Sequence, residues 1–578
     1  ENGRKYDGPM YMEYPNGNPK STNRPGSVNG GNTDLLNHYA PITAAVNDLN
    51  GRGVSGAVTF LLVDNSYTEA GAIQFNNNIS GISATNTVTI RPQTGVTATV
   101  SASVNNGGIF KILSNYITID GSNSGGSDQS LTLQNTSTTT PSVVHIGSTG
   151  TTPITNVMVK NCLITNGANT GSAVVVADAS ILTNGGYFNT ITIQNNQIKK
   201  SFHGIYVNGG TTPQNGLNLF VTGNTISSTG ADASTITGVY VQGVNGGNIS
   251  QNDVGNMVST MTTTGSRSGI WLATGCNNIT IERNKLHDLQ YTGTFGYGAN
   301  GVRISNGGTS ATGIVVKNNM IYNVTGDADS YATFGGSFSP VGIFCYGSAQ
   351  TGISIHNNSI NLYGNTLNYG INSYSIGIAL DDGSIADVRN NMISNTLGLL
   401  GGTGAGALCV ALETNASQLS NSNYNCYYSN PSTGVKGLIK IGNSGTNHLT
   451  MTALRTATGK DQLSFNSQPL FVSNTDLHIL PADLTLSGRG NYIAGNNNDY
   501  DGDARATGQS TTQRPVDVGC DQYTPNPLSY GGNILIPVSG IYYDGDLIAV
   551  EVTSGSLAGQ VRQFPGVRTP NNTLLKNG

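Results

Sequence analysis

Apolar and polar positions alternate in short runs through the middle of the chain, and helical periodicity is absent there. One run recurs as "VMVKNCLI" from Val157, "ITIQNNQI" from Ile191, "LFVTGNTI" from Leu219 and "ITIERNKL" from Ile279. It continues as "IVVKNNMI" from Ile314, "ISIHNNSI" from Ile353 and "ADVRNNMI" from Ala386, with weaker copies ending at Val254 and surrounding Asn425. A second run of the form Gly-apolar-x-apolar interleaves with it, starting at Gly204, Gly238, Gly269, Gly301, Gly342, Gly377 and Gly406. Period-two apolar runs bounded by Gly, Asn, Ser and Thr predict short strands. Self-similarity at intervals of about thirty residues predicts a repeat architecture.

The anchor position of the first run holds Cys162, Asn196, Asn224, Asn252, Asn284, Asn319, Asn358, Asn391 and Asn425. Strands this short cannot bury a face alone. Stacking each on its counterpart in the next repeat buries one continuous core and pairs every backbone amide. The predicted fold is all-β: a right-handed parallel β-helix in which Ile191, Ile193 and Ile198 share columns with Ile353, Ile355 and Ile360. The asparagines are expected at a corner, as an amide ladder in left-handed geometry; a sugar-binding or catalytic row is the functional alternative. Insertions such as 326–340 account for the longest intervals.

The ends differ from the repeats. Residues 39–50, "YAPITAAVNDLN", carry one apolar stripe (Ile42, Ala45, Val46, Leu49), with Pro41 suited to a first turn and Gly51 to a stop. This helix, followed by the strand "GAVTFLLV" at 56–63, is expected to cap the open end of the solenoid. The expected organisation is an irregular arm over 1–38, the capped β-helix over 39–525, and the start of a C-terminal β module or linker over 526–578. The polar beginning reads as an already processed chain or a fragment.

Composition narrows the classes. Of 578 residues only 10% are charged, 78 are glycine, and the net charge is −5. These values argue against a nucleic-acid partner and against disorder, and no apolar run is long enough to span a membrane. The six cysteines (Cys162, Cys276, Cys345, Cys409, Cys426, Cys520) form no CxxC and read as buried small hydrophobes or occasional bridges.

Near the C-terminus, "NNNDYDGDARATG" (496–508) precedes "PVDVGCDQY" (515–523). With the helix-strand opening, this layout resembles the secreted parallel β-helix proteins of Bacteroidota. Their helices close on a D-x-D-G-x-x-R … D-I-G-A-D-E-Y pattern. Asp499, Asp501, Gly502, Arg505, Asp517, Gly519, Asp521 and Tyr523 match it; Cys520 and Gln522 stand where alanine and glutamate are usual. The resemblance implies export, often by the type IX system, and placement outside the cell or on its surface.

Candidate chemistry is sparse. The outward position two before each anchor reads Lys160, Gln194, Thr222, Ser250, Glu282, Lys317, His356, Arg389. Lys317, His356 and Arg389, with Asp387 on the same face, are the candidate catalytic residues for a lyase or hydrolase acting on an anionic glycan; a solvated face is the bland alternative. The remaining histidines form no partner set. Asp381–Asp382 is the only acidic pair in the repeats and reads as a loop. Tyr206, Tyr240 and Trp271 share one outward position with Arg303, giving a stabilising stack or a ligand platform. Asp499, Asp501 and Asp503 have a spacing that gathers oxygen ligands for calcium, or that caps a turn and pairs with Arg505. No other cofactor is expected. The favoured function is a non-catalytic structural or adhesive protein of a bacterial surface or filament, its partners surface polysaccharide or other surface proteins. The alternatives are the lyase or hydrolase and a glycan-binding fibre or spike.

Overall fold

The structure, a computed structural model, describes residues 41–525 except 212–214, 261–266, 294–296, 306–311, 328–338, 348–349, 367–373, 400–405, 484 and 506–515. It also describes the backbone of four short strands at 6–12, 38–39, 549–551 and 561–563. Most of the insertion at 326–340 lies outside the described residues.

Each repeat contributes one strand to each of three sheets. Phe188–Gln194, Gln197–Lys199 and His203–Asn208 make one such coil. Among the described residues the sheets hold 14, 12 and 13 strands, paired in parallel along nearly their whole length. The chain is thus a parallel β-helix of the right-handed type, as the repeat requires. In the first sheet one inward column runs Ile193, Val221, Ile249, Ile281, Val316, Ile355, Val388. In the second, Leu286, Ile321, Ile360 and Ile393 follow one another. All are excluded from solvent and belong to one apolar core that extends from Ile42 to Leu454.

The glycine of the second run has a packing cause. At Gly204 a Cβ would stand 2.7 Å from both the Gly238 carbonyl and the Ile226 side chain, so the second sheet's isoleucines reach the third sheet only where no side chain intervenes. The last copy is shifted. Ile376 pairs with Leu408 and Ile378 with Val410, so Cys409, not Gly406, stands opposite Gly377. Gly406 opens the strand instead, opposite Tyr374.

The expected helix is Ile42–Arg52, ending two residues later than Gly51 on Gly53, whose N–H donates to Leu49 O. Ile42, Ala45, Val46 and Leu49 are buried in the main core. The Glu69 carboxylate accepts from the N–H groups of Ile42 and Thr43 at 2.8 and 3.1 Å, satisfying orphan donors at the positive helix end. A second helix, Met451–Thr458, was not expected. Thr450 caps it, Gly459 ends it, and Leu454 enters the core at the far end. No helix among the described residues is long and apolar enough to cross a membrane.

Within the expected arm, Tyr6–Met12 is a strand in parallel register with Val54–Leu62 and with His38–Tyr39, so the arm is not irregular throughout. In 526–578, Ala549–Glu551 and Val561–Gln563 pair antiparallel. All six cysteines are buried and unbridged, and burial pushes each thiol's pKa up.

Candidate functional site

The corner after each first-sheet strand is built from two adjacent columns. The inner one is the asparagine ladder. The N–H of each anchor donates to the side-chain oxygen of the next: Cys162 to Asn196 at 3.0 Å, Asn196 to Asn224 at 3.0 Å, and so on to Asn391 and Asn425 at 2.9 Å. Each side-chain amide also donates inward to a strand carbonyl, as Asn358 Nδ2 does to Val316 O at 2.9 Å. The ladder closes on Ser464, whose hydroxyl accepts from Asn425 N, and on the buried Asp461 carboxylate. These asparagines are therefore structural and wholly consumed. Left-handed backbone geometry belongs to their predecessors (Asn161, Asn195, Gly223, Gln251, Arg283, Asn318, Asn357, Asn390), not to the ladder residues as expected.

That outer column is a dock. Asn161 and Asn195 hold the 120–129 loop, with Asn195 Nδ2 donating to Ser127 O at 2.8 Å. The later members hold a strap whose described residues are 488–505 and 516–523. Arg283 Nε donates to Tyr500 O at 2.7 Å, Asn318 Nδ2 to Asn496 Oδ1 at 2.7 Å, and Asn390 Nδ2 to Asn491 O at 2.7 Å. The closing motif is this strap. Arg505 is buried beneath it and donates to the carbonyls of Asp517 and Gly519, to Asn318 Oδ1 and to Gln522 Oε1. Gly519 sits at φ 86, and a Cβ there would lie 2.8 Å from Ser359 Oγ. Cys520 fills an apolar contact with Met320, Tyr322 and Leu477, where a side chain slightly larger than alanine fits.

The candidate catalytic column forms in full register, from Lys160 through Glu282, Lys317 and His356 to Arg389. Its charges cancel internally. Lys317 Nζ is 3.3 Å from Glu282 Oε2 and donates to the strap carbonyl of Gly495 at 2.8 Å. Arg389 grips Asp387 through Nε and Nη2 at 2.7 and 2.6 Å, and His356 Nε2 lies 3.2 Å from the same carboxylate. Burial raises the Asp387 pKa, but the hydrogen bonds from His356 and Arg389 outweigh it and hold the carboxyl below its ordinary range. The Asp381–Asp382 pair is a turn: Asp382 has φ 48, and burial with the neighbouring Glu413 carboxylate pushes the Asp381 pKa up.

Of the calcium candidates, Asp499 and Asp501 come together with Asp521, their ligand atoms within 4.8 Å of one another; Asp503 is not in the group. Asp499 Oδ1 accepts from the N–H groups of Asp501, Gly502 and Asp503 at 2.8–3.0 Å, and Oδ2 from Gln522 N at 2.8 Å. Asp521 accepts from Ile479 N at 2.9 Å. Asp501 meets His478 Nε2 at 2.8 Å, so every carboxylate of the group already serves the chain's own donors. Arg505, expected as its ion-pair partner, turns to backbone carbonyls instead.

The aromatic column also forms in register, Tyr206 on Tyr240 on Trp271 on Arg303. The two tyrosine rings stack at 5.0 Å and 6°, and Trp271 meets Tyr240 edge-on at 5.1 Å. Their tips are pinned: Tyr240 OH donates to Gln242 Oε1 and Trp271 Nε1 to Ser305 Oγ, both at 2.6 Å. All three rings are half-buried, with one edge in solvent. His203 closes one end of the ribbon, and burial lowers its pKa to about 4, so it is neutral.

No family model and no curated relative matches this chain. Solved structures do. The enzymatically active domain of bacteriophage CBA120 tailspike protein 2 aligns at 12% identity and TM-score 0.33 over 70% of this chain and 46% of that one. The mannuronan C-5 epimerase AlgE6 A-module of Azotobacter vinelandii aligns at 12% and 0.31, covering 74% and 94%. PfbA, a surface adhesin of Streptococcus pneumoniae, aligns at 14% and 0.28, covering 69% and 86%. These likenesses are too distant to carry function.

Two histidine clusters were invisible in the sequence. His287 lies between Asp253 (Nε2 to Oδ1, 2.7 Å) and Asp288 (Nδ1 to Oδ2, 2.6 Å), under the stacked ring of Tyr322. His478, just before the strap, lies between Asp476 and Asp501, the latter at 2.8 Å from Nε2. The expectation that these histidines lack partners is thus corrected. Asp253 is 34 residues from His287 and Asp501 is 23 from His478, separations that only the coil and strap geometry closes. With a carboxylate on each ring nitrogen, both nitrogens donate and the ring is an imidazolium. Neither has a lone pair left to act as a base.

Proposed function

We propose that this protein is a non-catalytic, extracellular β-helix of a bacterial cell surface or filament, and that it adheres to glycans through the Tyr206–Tyr240–Trp271 ribbon. The observation that carries this reading is the ribbon itself: three rings on successive rungs, pinned at their polar tips and open along one edge. Rings held this way lose little conformational freedom on binding and offer their apolar edges to a sugar, their faces being taken up by one another and by Arg303. The neighbouring half-buried amide of Gln242 supplies a hydrogen-bonding group at its margin. The internal neutralisation of Lys317, His356 and Arg389 supports adhesion over cleavage, because a site that must bind an anion and move a proton needs charges not already paired. The resemblance of the closing motif supports export by the type IX route from a member of the Bacteroidota.

The test pairs binding with product release. The full chain is run by affinity electrophoresis through a panel of soluble polysaccharides, and each polysaccharide is assayed for reducing ends and unsaturated products. Retardation by at least one polysaccharide is expected, lost in Tyr206→Ala and Trp271→Ala variants of unchanged melting behaviour, with no product. Product release abolished by both Lys317→Ala and Arg389→Ala would overturn this reading in favour of a lyase or hydrolase. A trimer in solution would favour a spike.

A further inference from the structure

The fourth rung of the ribbon is a cation. Arg303 follows Trp271 in register and precedes Phe344. Its guanidinium carbon is 4.3 Å from the Trp271 ring centre and 5.9 Å from that of Phe344. Its Nε is shielded from water and donates to no oxygen. The groups whose charge bears on it are the hydroxyls of Tyr346 and Tyr240, and among the described residues no carboxylate does so. The contrast within this molecule is sharp. Lys317 faces Glu282 and Arg389 grips Asp387; Arg505, the most deeply buried of the three, also has an unpaired Nε, but both of its Nη groups are met by carbonyl and amide oxygens.

A guanidinium sandwiched by aromatic faces gains cation–π attraction, but its N–H groups lie in the ring plane and stay unpaired. Burying such donors without acceptors is costly. Burial lowers the Arg303 pKa to about 10, so it keeps its charge at neutral pH. A fixed, charged, under-bonded fork beside a sugar-sized aromatic surface lacks only an anionic acceptor, and Arg presents the geometry that carboxylates and sulfates match.

We infer that Arg303 is the anion-reading subsite of the ribbon, and that its ligand is an acidic polysaccharide whose sugar rings lie along the edges of Tyr206, Tyr240 and Trp271 while a carboxylate or sulfate pairs with the guanidinium. This rests on the glycan-binding reading above.

Titration calorimetry of the full chain decides it, with four probes: a uronate homopolymer, the same polymer after carboxyl reduction, a sulfated galactan and its desulfated form. The wild type is expected to bind one acidic polymer roughly tenfold more tightly than its neutral counterpart, an advantage that shrinks as salt is added. Which pair shows the advantage separates carboxylate from sulfate. Arg303→Met, which keeps an apolar stem over Trp271, is expected to bind both members of that pair equally, at the neutral polymer's affinity. Arg303→Lys is expected to restore part of the preference, which excludes a folding artefact. Equal binding by the wild type, or a preference that survives in Arg303→Met, overturns the anion subsite and leaves glycan binding standing. Failure of all four probes overturns both.

Discussion

A single asparagine of the ladder joins three rungs. Asn358 accepts from Asn319 N and Nδ2 at 3.1 and 2.9 Å, and donates to Asn391 Oδ1 and to Val316 O. All of these groups are out of reach of water. Asn358→Ala takes the acceptor from Asn319 N and a donor from Val316 O, each such loss costing about 1–3 kcal/mol, while Asn391 Oδ1 keeps the backbone N–H of residue 358. We expect a total destabilisation of about 2–4 kcal/mol, read as a lower denaturation midpoint, with glycan binding at the distant third-sheet ribbon unaffected. An unchanged midpoint would mean that water satisfies the corner. At this scale the sequence was informative: the recurring Asn announced the corner. It misassigned the left-handed residue by one position, because both members of an Asn-Asn pair tolerate that geometry and only the register tells which one turns inward.

At the scale of the element, the C-terminal strap is the part whose role the chain order hides. Arg505 ties it to the coil through oxygens of Asp517, Gly519, Asn318 and Gln522. Arg505→Met is expected to loosen the strap, seen as faster amide exchange at Asn491–Gly502 and at Gly519–Gln522, while exchange in the ladder coils before Asn284 stays unchanged. The glutamine at position 522 gives the opposite test. Gln522→Glu places a carboxylate where a neutral oxygen now accepts from Arg505 at 3.3 Å. It is expected to add about 1 kcal/mol, the difference between a charge-assisted and a neutral hydrogen bond. Destabilisation instead would indicate that Asp499, Asp517 and Asp521 already balance the cation. The second helix, Met451–Thr458, escaped sequence reading because its eight residues bury only Leu454, too little for a periodic stripe.

Across the whole molecule, two imidazolium clamps tie neighbouring segments together: His287 joins two successive coils, and His478 joins the strand Asp476–Ile479 to the strap. At His287, burial lowers the pKa but Asp253 and Asp288 outweigh it; at His478, Asp476 and Asp501 do the same. Both folded values lie above the ordinary one of about 6.5. The clamps' contribution is therefore complete below pH ~6.5 and is lost as pH rises through the folded values. On the acid side, Asp288 and Asp476 are held below their ordinary range, so their contribution exists above pH ~3.8 and is lost as pH falls through their folded values. Lys285 lies close enough for its charge to bear on both Asp288 and Asp476. Denaturant midpoints measured across this range are expected to peak between the two limits. In a His287→Gln, His478→Gln double variant the decline at higher pH should shrink, leaving the part due to the raised carboxyl of Asp381. A decline of unchanged size in the double variant would assign it elsewhere.

The sequence alone determined the solenoid, the ladder, the helical cap and which outward residues share a column. All of these follow from a period: in a stack of coils, residues one repeat apart must be neighbours, and apolar alternation decides which face each occupies. Only the tertiary structure decided what those columns meet. The strap lies over the corner, carboxylates cancel the Lys317–His356–Arg389 face, and Asp521 rather than Asp503 joins Asp499 and Asp501. The histidines find their partners in the next coil or beyond the last one. The strap's contacts join segments with no repeat relation, set by how a folded surface accepts a long connection, and the ion pairs between coils depend on side-chain reach; periodicity encodes neither.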